Sequence, residues 1–238
     1  VGSRKVTDIP FHVKAMKRVY DAVRFPVEVA PDEVPTRMLR WTQVSPKGDR
    51  AVFQALGHLW VRNLPDGKPR RLTRQEDHFE SFPSFSRDGK WVVYTTWDDE
   101  KLSTVRVVSA DGGQDRVVVG DPGHYVEPAF SPDGKTIVFR RAEGGFLRTP
   151  SWSREVGVYR VPASGGKPEL VTEEGFTPHF GAENDRLFVV RPGEKVQLVS
   201  LGLNGKDERV HLSSENALEI RVSNDSRWVA FVDHFNAY

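Results

Sequence analysis

The sequence is most distinctive for what it lacks. Its 238 residues include no cysteine, so disulfides, thiolate metal sites and a cysteine nucleophile are all excluded. No apolar run has the length of a membrane helix, and we therefore expect no membrane insertion. The 34 basic and 33 acidic residues leave a net charge of +1. A charge balance of this kind argues against a nucleic-acid-binding protein.

The chain also lacks an initial methionine and a charged-then-apolar leader. We therefore expect either that a signal was removed or that the sequence is a piece of a longer protein. Apolar residues make up 38% and aromatic residues 11%, which is ordinary for a globular protein and disfavours disorder.

A turn motif recurs along the chain. Residues 85–94 (FSRDGKWVVY) match residues 130–139 (FSPDGKTIVF), and weaker copies follow Ser45 and Ser223. A degenerate copy occupies residues 180–188. The steps between equivalent positions are 41, 45, 50 and 42 residues, taking Ser45, Ser86, Ser131, Gly181 and Ser223 as anchors. This spacing is close to the roughly 40–45 residues of a four-stranded propeller blade.

Each copy follows the same order of elements: a strand, the Asp-Gly turn, an apolar strand, a third strand, a second glycine turn and a short fourth strand. The sequence thus predicts an all-β fold, a β-propeller of four-stranded antiparallel blades. Four complete blades are expected near residues 41–75, 80–120, 126–173 and 177–213, with a half blade ending near 235. Residues 1–40 read as an extended segment, consistent with the end of an earlier blade, before propeller residues 41–238.

The four complete blades and the half blade predict an incomplete ring, and there are two alternatives to it. A β-sandwich is disfavoured, because sandwiches do not repeat one turn motif every four strands. A closed five-bladed ring stays open as an alternative, with strands at residues 12–15 and 24–29 completing the last blade.

The repeated turns carry specific expectations. Asp88 and Asp133 should accept a backbone N–H within their turns, and Gly89 and Gly134 should adopt positive φ. The degenerate copy has no glycine after Asp185, so its turn should differ and its blade should be the least regular. Trp91 and Trp228, at one repeat position, are expected to pack between blades.

The motif around residues 128–135 (PAFSPDGK) resembles the WD40-like repeat of TolB-type propellers, and the resemblance covers residues 41–233. A narrower resemblance, in residues 59–73 and in the insert before residues 157–159, is to exported proteins in which such a propeller precedes a metal-dependent amidohydrolase barrel. It implies a non-catalytic accessory domain in the periplasm or outside the cell. Its partner would be a catalytic domain of the same polypeptide or another protein. The alternatives are an independent protein-binding propeller of the Tol type and the propeller of a prolyl oligopeptidase-class peptidase.

Catalytic motifs are absent from the sequence. There is no Gly-x-Ser-x-Gly elbow, and the seven histidines contain neither a His-x-His pair nor a His-Glu-x-x-His motif. We therefore expect no catalytic residue, metal site or cofactor in this chain, whatever the parent protein does.

The remaining candidates for binding lie between the repeats. They are expected to gather near the rim of an axial channel, where imidazoles and carboxylates could bind a metal, an anion or a peptide: His78, Glu80, His124, Glu127 and His179. The alternative is that each is a solvated loop residue or a strand cap. Trp152, in the long loop 142–155, is a further candidate for contact with a partner.

Overall fold

The computed structural model describes residues 8–20, 32, 36–144 and 153–238. The chain divides into two compact units, Val1–Pro35 and Thr36–Tyr238. The described residues of the first unit form no regular element, whereas every element of the second is a strand.

The second unit contains five antiparallel sheets, which are consecutive in the chain and correspond to propeller blades. Blade 1 contains β1 (Arg40–Val44), β2 (Arg50–Ala55), β3 (His58–Asn63) and β4 (Arg70–Arg71); blade 2 contains β5 (Phe79–Phe85), β6 (Trp91–Trp97), β7 (Ser103–Ser109) and β8 (Arg116–Gly123); blade 3 contains β9 (Tyr125–Phe130), β10 (Thr136–Arg141), β11 (Gly157–Pro162) and β12 (Glu169–Thr172). Blade 4 contains β13 (Phe176–Phe180), β14 (Arg186–Arg191), β15 (Val196–Gly202) and β16 (Arg209–Ser214); blade 5 contains β17 (Leu218–Val222), β18 (Val229–Asp233) and β19 (Asn236–Ala237). The predicted all-β propeller is confirmed.

The fifth blade differs from the predicted half blade. It has three strands, because Asn236 and Ala237 turn back and pair with Asp233 and Val232. Residues 12–15, proposed as a strand that would close a ring, form no strand. Residues 24–29, the other proposed strand, lie outside the described residues.

The Asp-Gly turns have one hydrogen-bonding pattern. In blade 2 the Ser86 hydroxyl donates to Asp88 at 2.6 Å, Asp88 accepts the Lys90 N–H at 3.0 Å, and Gly89 has φ +71°. In blade 3 Ser131, Asp133 and Lys135 repeat these bonds at 2.7 and 3.0 Å, with Gly134 at φ +70°. The serine hydroxyl and the lysine N–H hold the pKa of each aspartate below its usual value. The motif is therefore a self-contained turn whose carboxylate is stabilised in the charged form.

Replacing Gly134 by valine should lower the free energy of unfolding by roughly 1–3 kcal/mol, because a β-branched residue fits poorly at positive φ. The site itself is open, with no atom within 4 Å of the position that a Cβ would take, so the cost would be conformational. Replacing Asp133 by alanine should cost less, about 1 kcal/mol, because water can replace part of a local bond. Urea denaturation of both variants tests the order, and a neutral Gly134→Val variant would contradict it.

Blade 4 is more regular than its degenerate turn predicts. Its four strands have five to seven residues each, whereas β4 of blade 1 has only two. The expectation that blade 4 is the least regular is therefore wrong. Asn184 from its turn accepts the Asp133 N–H of blade 3 at 2.9 Å, so this loop is fixed by the neighbouring blade instead of by glycine.

Apolar clusters join successive blades. Four such clusters link blade 1 to 2, 2 to 3, 3 to 4 and 4 to 5, with residues such as Val52, Phe139, Leu187 and Ile220 essentially inaccessible. Among the described residues no cluster links blade 5 to blade 1. Each blade therefore gains its stability mainly from the blades beside it in the chain.

The two tryptophans that follow the turns of blades 2 and 5, Trp91 and Trp228, do not lie in these clusters. Trp91 is 46% exposed and Trp228 is 73% exposed, so the expectation that both pack between blades is wrong. The residues that follow Trp91, Val92 and Val93, occupy the two buried faces of the strand instead. The tryptophan directly follows the turn, at the strand end, where no neighbouring sheet covers it.

Candidate functional site

The innermost strands of all five blades surround one cavity of about 410 Å³ on the propeller axis. The volume lies in the range of about 300–1,000 Å³ that is usual for small-ligand sites. We refer to it as the axial pocket. Because residues of all five blades line it, we take it as the candidate site.

A bulge recurs at the same step of every innermost strand. One residue in each has positive φ, between 48° and 56°, and the register of pairing shifts at that point: Trp41, Phe82, Glu127, Thr177 and Glu219. A non-glycine residue in this region costs about 1–3 kcal/mol, and bulges redirect side chains. Fivefold repetition shows that the bulge is a built feature of the pocket wall.

The pocket has three levels along its axis, namely a rim, a middle and a floor. Its rim includes Trp41 and Phe82, whose ring centroids lie 4.2 Å apart, and its wall includes three prolines that follow the bulges: Pro83, Pro128 and Pro178. The middle level, two residues after each bulge, presents Gln43, Ser84, Ala129, His179 and Arg221. The pocket therefore has two aromatic rings at its rim and mostly polar side chains in its middle.

Arg87 forms the floor of the pocket. Its guanidinium donates to the carbonyl oxygen of Gly181 at 2.7 Å and to that of Asn224 at 3.0 Å. Since Arg87 belongs to blade 2 and its acceptors to the turns of blades 4 and 5, the side chain crosses the axis. It obstructs the end of the pocket at which the Asp-Gly turns gather.

Glu127 lies at the pocket wall but its carboxylate is engaged. Oε2 accepts from Arg140 Nε at 3.0 Å and from the Thr177 N–H of blade 4 at 2.8 Å. Glu127 thus connects blade 3 to blade 4, and its charge is balanced by Arg140.

His179 reaches the axial pocket with both ring nitrogens occupied. Nδ1 lies 2.7 Å from the Thr177 carbonyl oxygen, and Nε2 accepts the Val222 N–H of blade 5 at 3.1 Å. These bonds require a neutral ring protonated on Nδ1. Burial, with a smaller contribution from nearby Arg221, lowers the pKa of His179 to about 4. The residue therefore joins two blades and is poorly suited to bind a metal.

His179 should make stability depend on pH. Its pKa is depressed in the folded state, so between about pH 6.5 and 4 the unfolded chain binds more protons, and stability falls as the pH falls through this range. We expect a loss of about 2 kcal/mol between pH 7.5 and 5.0 from this residue. Urea denaturation of wild type and His179→Gln at both pH values measures it.

His78 and His211, whose pKa values are also lowered by burial, contribute to the same pH range in both proteins. They therefore cancel in the comparison. A pH dependence that is the same in His179→Gln and wild type would contradict the assignment.

Glu80 and His78 lie between blades 1 and 2, away from the axial pocket. Glu80 is inaccessible, and its carboxylate accepts the Leu59 N–H at 2.7 Å and the Gln75 amide at 2.6 Å. His78 contacts Asp77 at 3.1 Å through Nδ1, and its Nε2 is buried. Burial and the charge of Arg106 lower the pKa of His78, against the carboxylates of Asp77, Glu80 and Asp115.

His124 lies in the connection between β8 of blade 2 and β9 of blade 3. Its ring meets that of Trp97 edge-on with centroids 5.5 Å apart, and its Nδ1 lies 3.2 Å from the Glu143 carbonyl oxygen. Trp152, the candidate for partner contact, lies outside the described residues. Of the five candidates that the structure describes, it brings Glu127 and His179 to the axial pocket and places His78, Glu80 and His124 elsewhere.

Sequence reasoning missed Arg221. It lies on β17, two residues after the bulge of a blade whose repeat motif is weak, and its side chain is accessible from the pocket. Its one hydrogen bond to another described residue is a long one of 3.4 Å, from Nη1 to the Thr177 carbonyl oxygen. No carboxylate of the described residues lies within ion-pair distance. Its repeat position, two residues before Ser223 as His179 is two residues before Gly181, was the available signal.

A serine and a histidine also meet in blade 4. Ser200 Oγ lies 2.7 Å from His211 Nε2, which is the spacing of a nucleophile and its base. Ser200 is inaccessible, however, and its hydroxyl also accepts from Arg186 at 3.0 Å. The pair therefore orders the sheet and cannot meet a substrate.

Metal clusters and membrane-spanning helices are both absent from the described residues. No group of three or more His, Asp or Glu side chains there is arranged to hold a metal ion. No helix there has the length and apolar character to cross a membrane, since all regular elements are strands.

Comparison with known proteins supports the propeller fold. No family model matches the chain. A Tol-Pal system protein TolB of Francisella tularensis is 32% identical over 73 residues, which are 31% of this chain and 17% of that protein. The solved structure of a putative TolB from Agrobacterium tumefaciens superposes with a TM-score of 0.67 at 16% identity, covering 84% of this chain and 71% of that one. The fold is that of a TolB-like β-propeller.

The TolB-like fold does not decide the activity. An oligogalacturonate lyase from Vibrio parahaemolyticus superposes with a TM-score of 0.63 at 10% identity, covering 80% of this chain and 57% of that one. The same fold thus occurs in an enzyme, and function must be argued from the site. The matched segment spans about a sixth of the curated TolB relatives, so their full activity does not transfer to this TolB-like chain.

Proposed function

We propose that this TolB-like propeller is a non-catalytic binding domain, which receives a short segment of a partner protein in its axial pocket. The observation that carries the proposal is the convergence of five bulged strands on one pocket, with two aromatic rings at its rim and an Arg221 that has no carboxylate within ion-pair distance among the described residues. The titratable groups around it that could serve as acid or base, Glu127 and His179, are occupied in joining blades.

The partner is proposed to be a catalytic domain of the same polypeptide or another protein. The resemblance of residues 59–73 to propellers that precede amidohydrolase barrels supports the first, in the periplasm or outside the cell. The similarity to proteins named for the Tol-Pal system supports the second, an independent binding propeller. The sequence of the parent gene separates them, since a His-x-His motif after a strand downstream would favour the amidohydrolase.

A peptide-display selection tests the binding role. Immobilised protein should enrich specific peptides, and these should lose binding to Ala129→Trp, which fills the middle of the pocket. Val117→Trp, on the exposed outer strand of blade 2, is the matched control and should bind as wild type does. Thermal denaturation confirms that both variants fold. Failure to enrich any peptide, or equal binding to both variants, would count against the proposal.

The same proposal predicts inactivity of the isolated chain. It should hydrolyse no peptide, ester or amide and should hold no stoichiometric zinc, because its sequence has neither a nucleophile elbow nor paired histidine ligands. Elemental analysis after dialysis measures the metal. About one tightly held transition metal per chain would overturn this expectation.

A further inference from the structure

The axial pocket is obstructed at one end. Arg87 extends across the axis and bonds to the turns between the first and second strands of blades 4 and 5. A polypeptide that passes through a channel needs two open mouths. A pocket with this floor therefore favours a chain end over a threaded segment.

The charges of the pocket select between the two chain ends. Arg221 occupies the middle level and Arg87 the floor, so both cations lie along the path of an entering group. Among the described residues that line the pocket, Glu127 is the one carboxylate, and it is already paired with Arg140. A terminal ammonium would be repelled by the two arginines, whereas a carboxylate would be attracted to them.

Arg221 has the geometry to receive such a carboxylate. A guanidinium offers five N–H donors in a planar fork that matches a carboxylate. Among the described residues only the Thr177 carbonyl oxygen, 3.4 Å away, accepts from it. Enclosure by the pocket lowers the pKa of Arg221, and the more distant Glu127 and Glu219 act in the opposite direction. The neighbouring His179 does not compete, because its nitrogens are already bonded.

We propose that the axial pocket binds the C-terminal carboxylate of a partner peptide through Arg221, above the floor made by Arg87. The proposal rests on the binding role proposed above and specifies its ligand. The rim of Trp41 and Phe82 would contact the apolar part of the residues that precede the terminus. Recognition would therefore depend on the free carboxylate more than on one particular side chain.

Fluorescence anisotropy with three pools of labelled tetrapeptides tests the proposal. The first pool has a free C-terminal carboxylate and no acidic side chain, the second is amidated, and the third is amidated with an internal aspartate. The first should bind wild type at least about tenfold more tightly than the other two, since a charge-assisted bond to arginine is lost in them.

Variants of Arg221, measured in the same binding assay, provide a second test. Arg221→Gln should weaken the first pool by about tenfold or more, and Arg221→Lys should retain part of the binding because it keeps the charge. Arg160→Gln is the matched control, because Arg160 lies on β11, does not line the pocket and pairs with the exposed Glu169. It should leave binding unchanged.

The outcomes separate this inference from the binding role. Equal binding of the third pool, or binding of the first pool that Arg221→Gln leaves intact, would overturn the inference while the binding role stands. The inference would also be overturned, and the binding role would stand, if display-selected peptides occupied the pocket but the first pool did not bind. Failure of both the display selection and all three pools would overturn both.

Discussion

Replacing Glu80 by alanine is expected to lower the free energy of unfolding by about 4 kcal/mol. The carboxylate is inaccessible and accepts from the Leu59 N–H of blade 1 at 2.7 Å and from Gln75 at 2.6 Å. Its removal leaves a buried backbone donor without a partner, which costs about 1–3 kcal/mol, and adds a cavity between blades 1 and 2. Urea denaturation at neutral pH measures the loss.

Two further variants make the Glu80 result specific. Glu80→Gln keeps an oxygen that can accept the Leu59 N–H, so about half of the loss should be recovered. Glu76→Ala removes a nearby carboxylate whose side chain is 77% exposed and pairs with Arg71, and it should change stability by no more than about 0.5 kcal/mol. If Glu80→Ala were as stable as Glu76→Ala, the residue would not hold the two blades together.

Replacing Gly205 by alanine should cost about 3 kcal/mol. Gly205 lies in the turn between β15 and β16 with φ +76°, and a Cβ there would overlap the carbonyl oxygen of Val171 in blade 3. The variant would therefore combine the strain of a left-handed backbone with a clash against backbone that cannot easily move. Thermal and urea denaturation should both show the loss.

Gly134→Ala is the matched control for Gly205→Ala. Its φ of +70° is nearly the same, but no atom lies within 4 Å of the added Cβ. It should cost only about 1 kcal/mol, from conformation alone. Equal effects at the two glycines would mean that the approach of blade 4 to blade 3 contributes nothing to the cost.

The repeat made the fold predictable from sequence, because a blade is a local unit. Ser86, Asp88 and Gly89 form their turn through bonds within five residues, and the same letters at residues 131–134 form the same turn. The third strand of blade 5 was not predictable in this way. Its two residues, Asn236 and Ala237, carry no turn motif, and they form a strand only because Asp233 offers a pairing edge.

The candidate site was less predictable, because it depends on contacts between blades. Glu80, Glu127 and His179 were identified as polar residues near the blade junctions, but each accepts a backbone N–H of a neighbouring blade, which no local pattern reveals. Arg221 was missed for the same reason, since its exposure to the pocket depends on how β17 stands among four other strands. The bulges that orient these side chains are set by backbone conformation, and the proline that follows three of them, at residues 83, 128 and 178, marks the position without revealing the positive φ.

The reach of Arg87 has a consequence for how the chain folds during synthesis. Most contacts in a blade, and the clusters that join it to the next, are made between neighbours in sequence, so blades can form in order as they emerge. The bonds of Arg87 are different, because their acceptors lie 94 and 137 residues further along. Contacts of such separation carry a large loop-closure entropy and form late. The pocket floor would thus be completed only after the turn of blade 5 has formed. Until then, the pocket between the earlier blades would lack its floor.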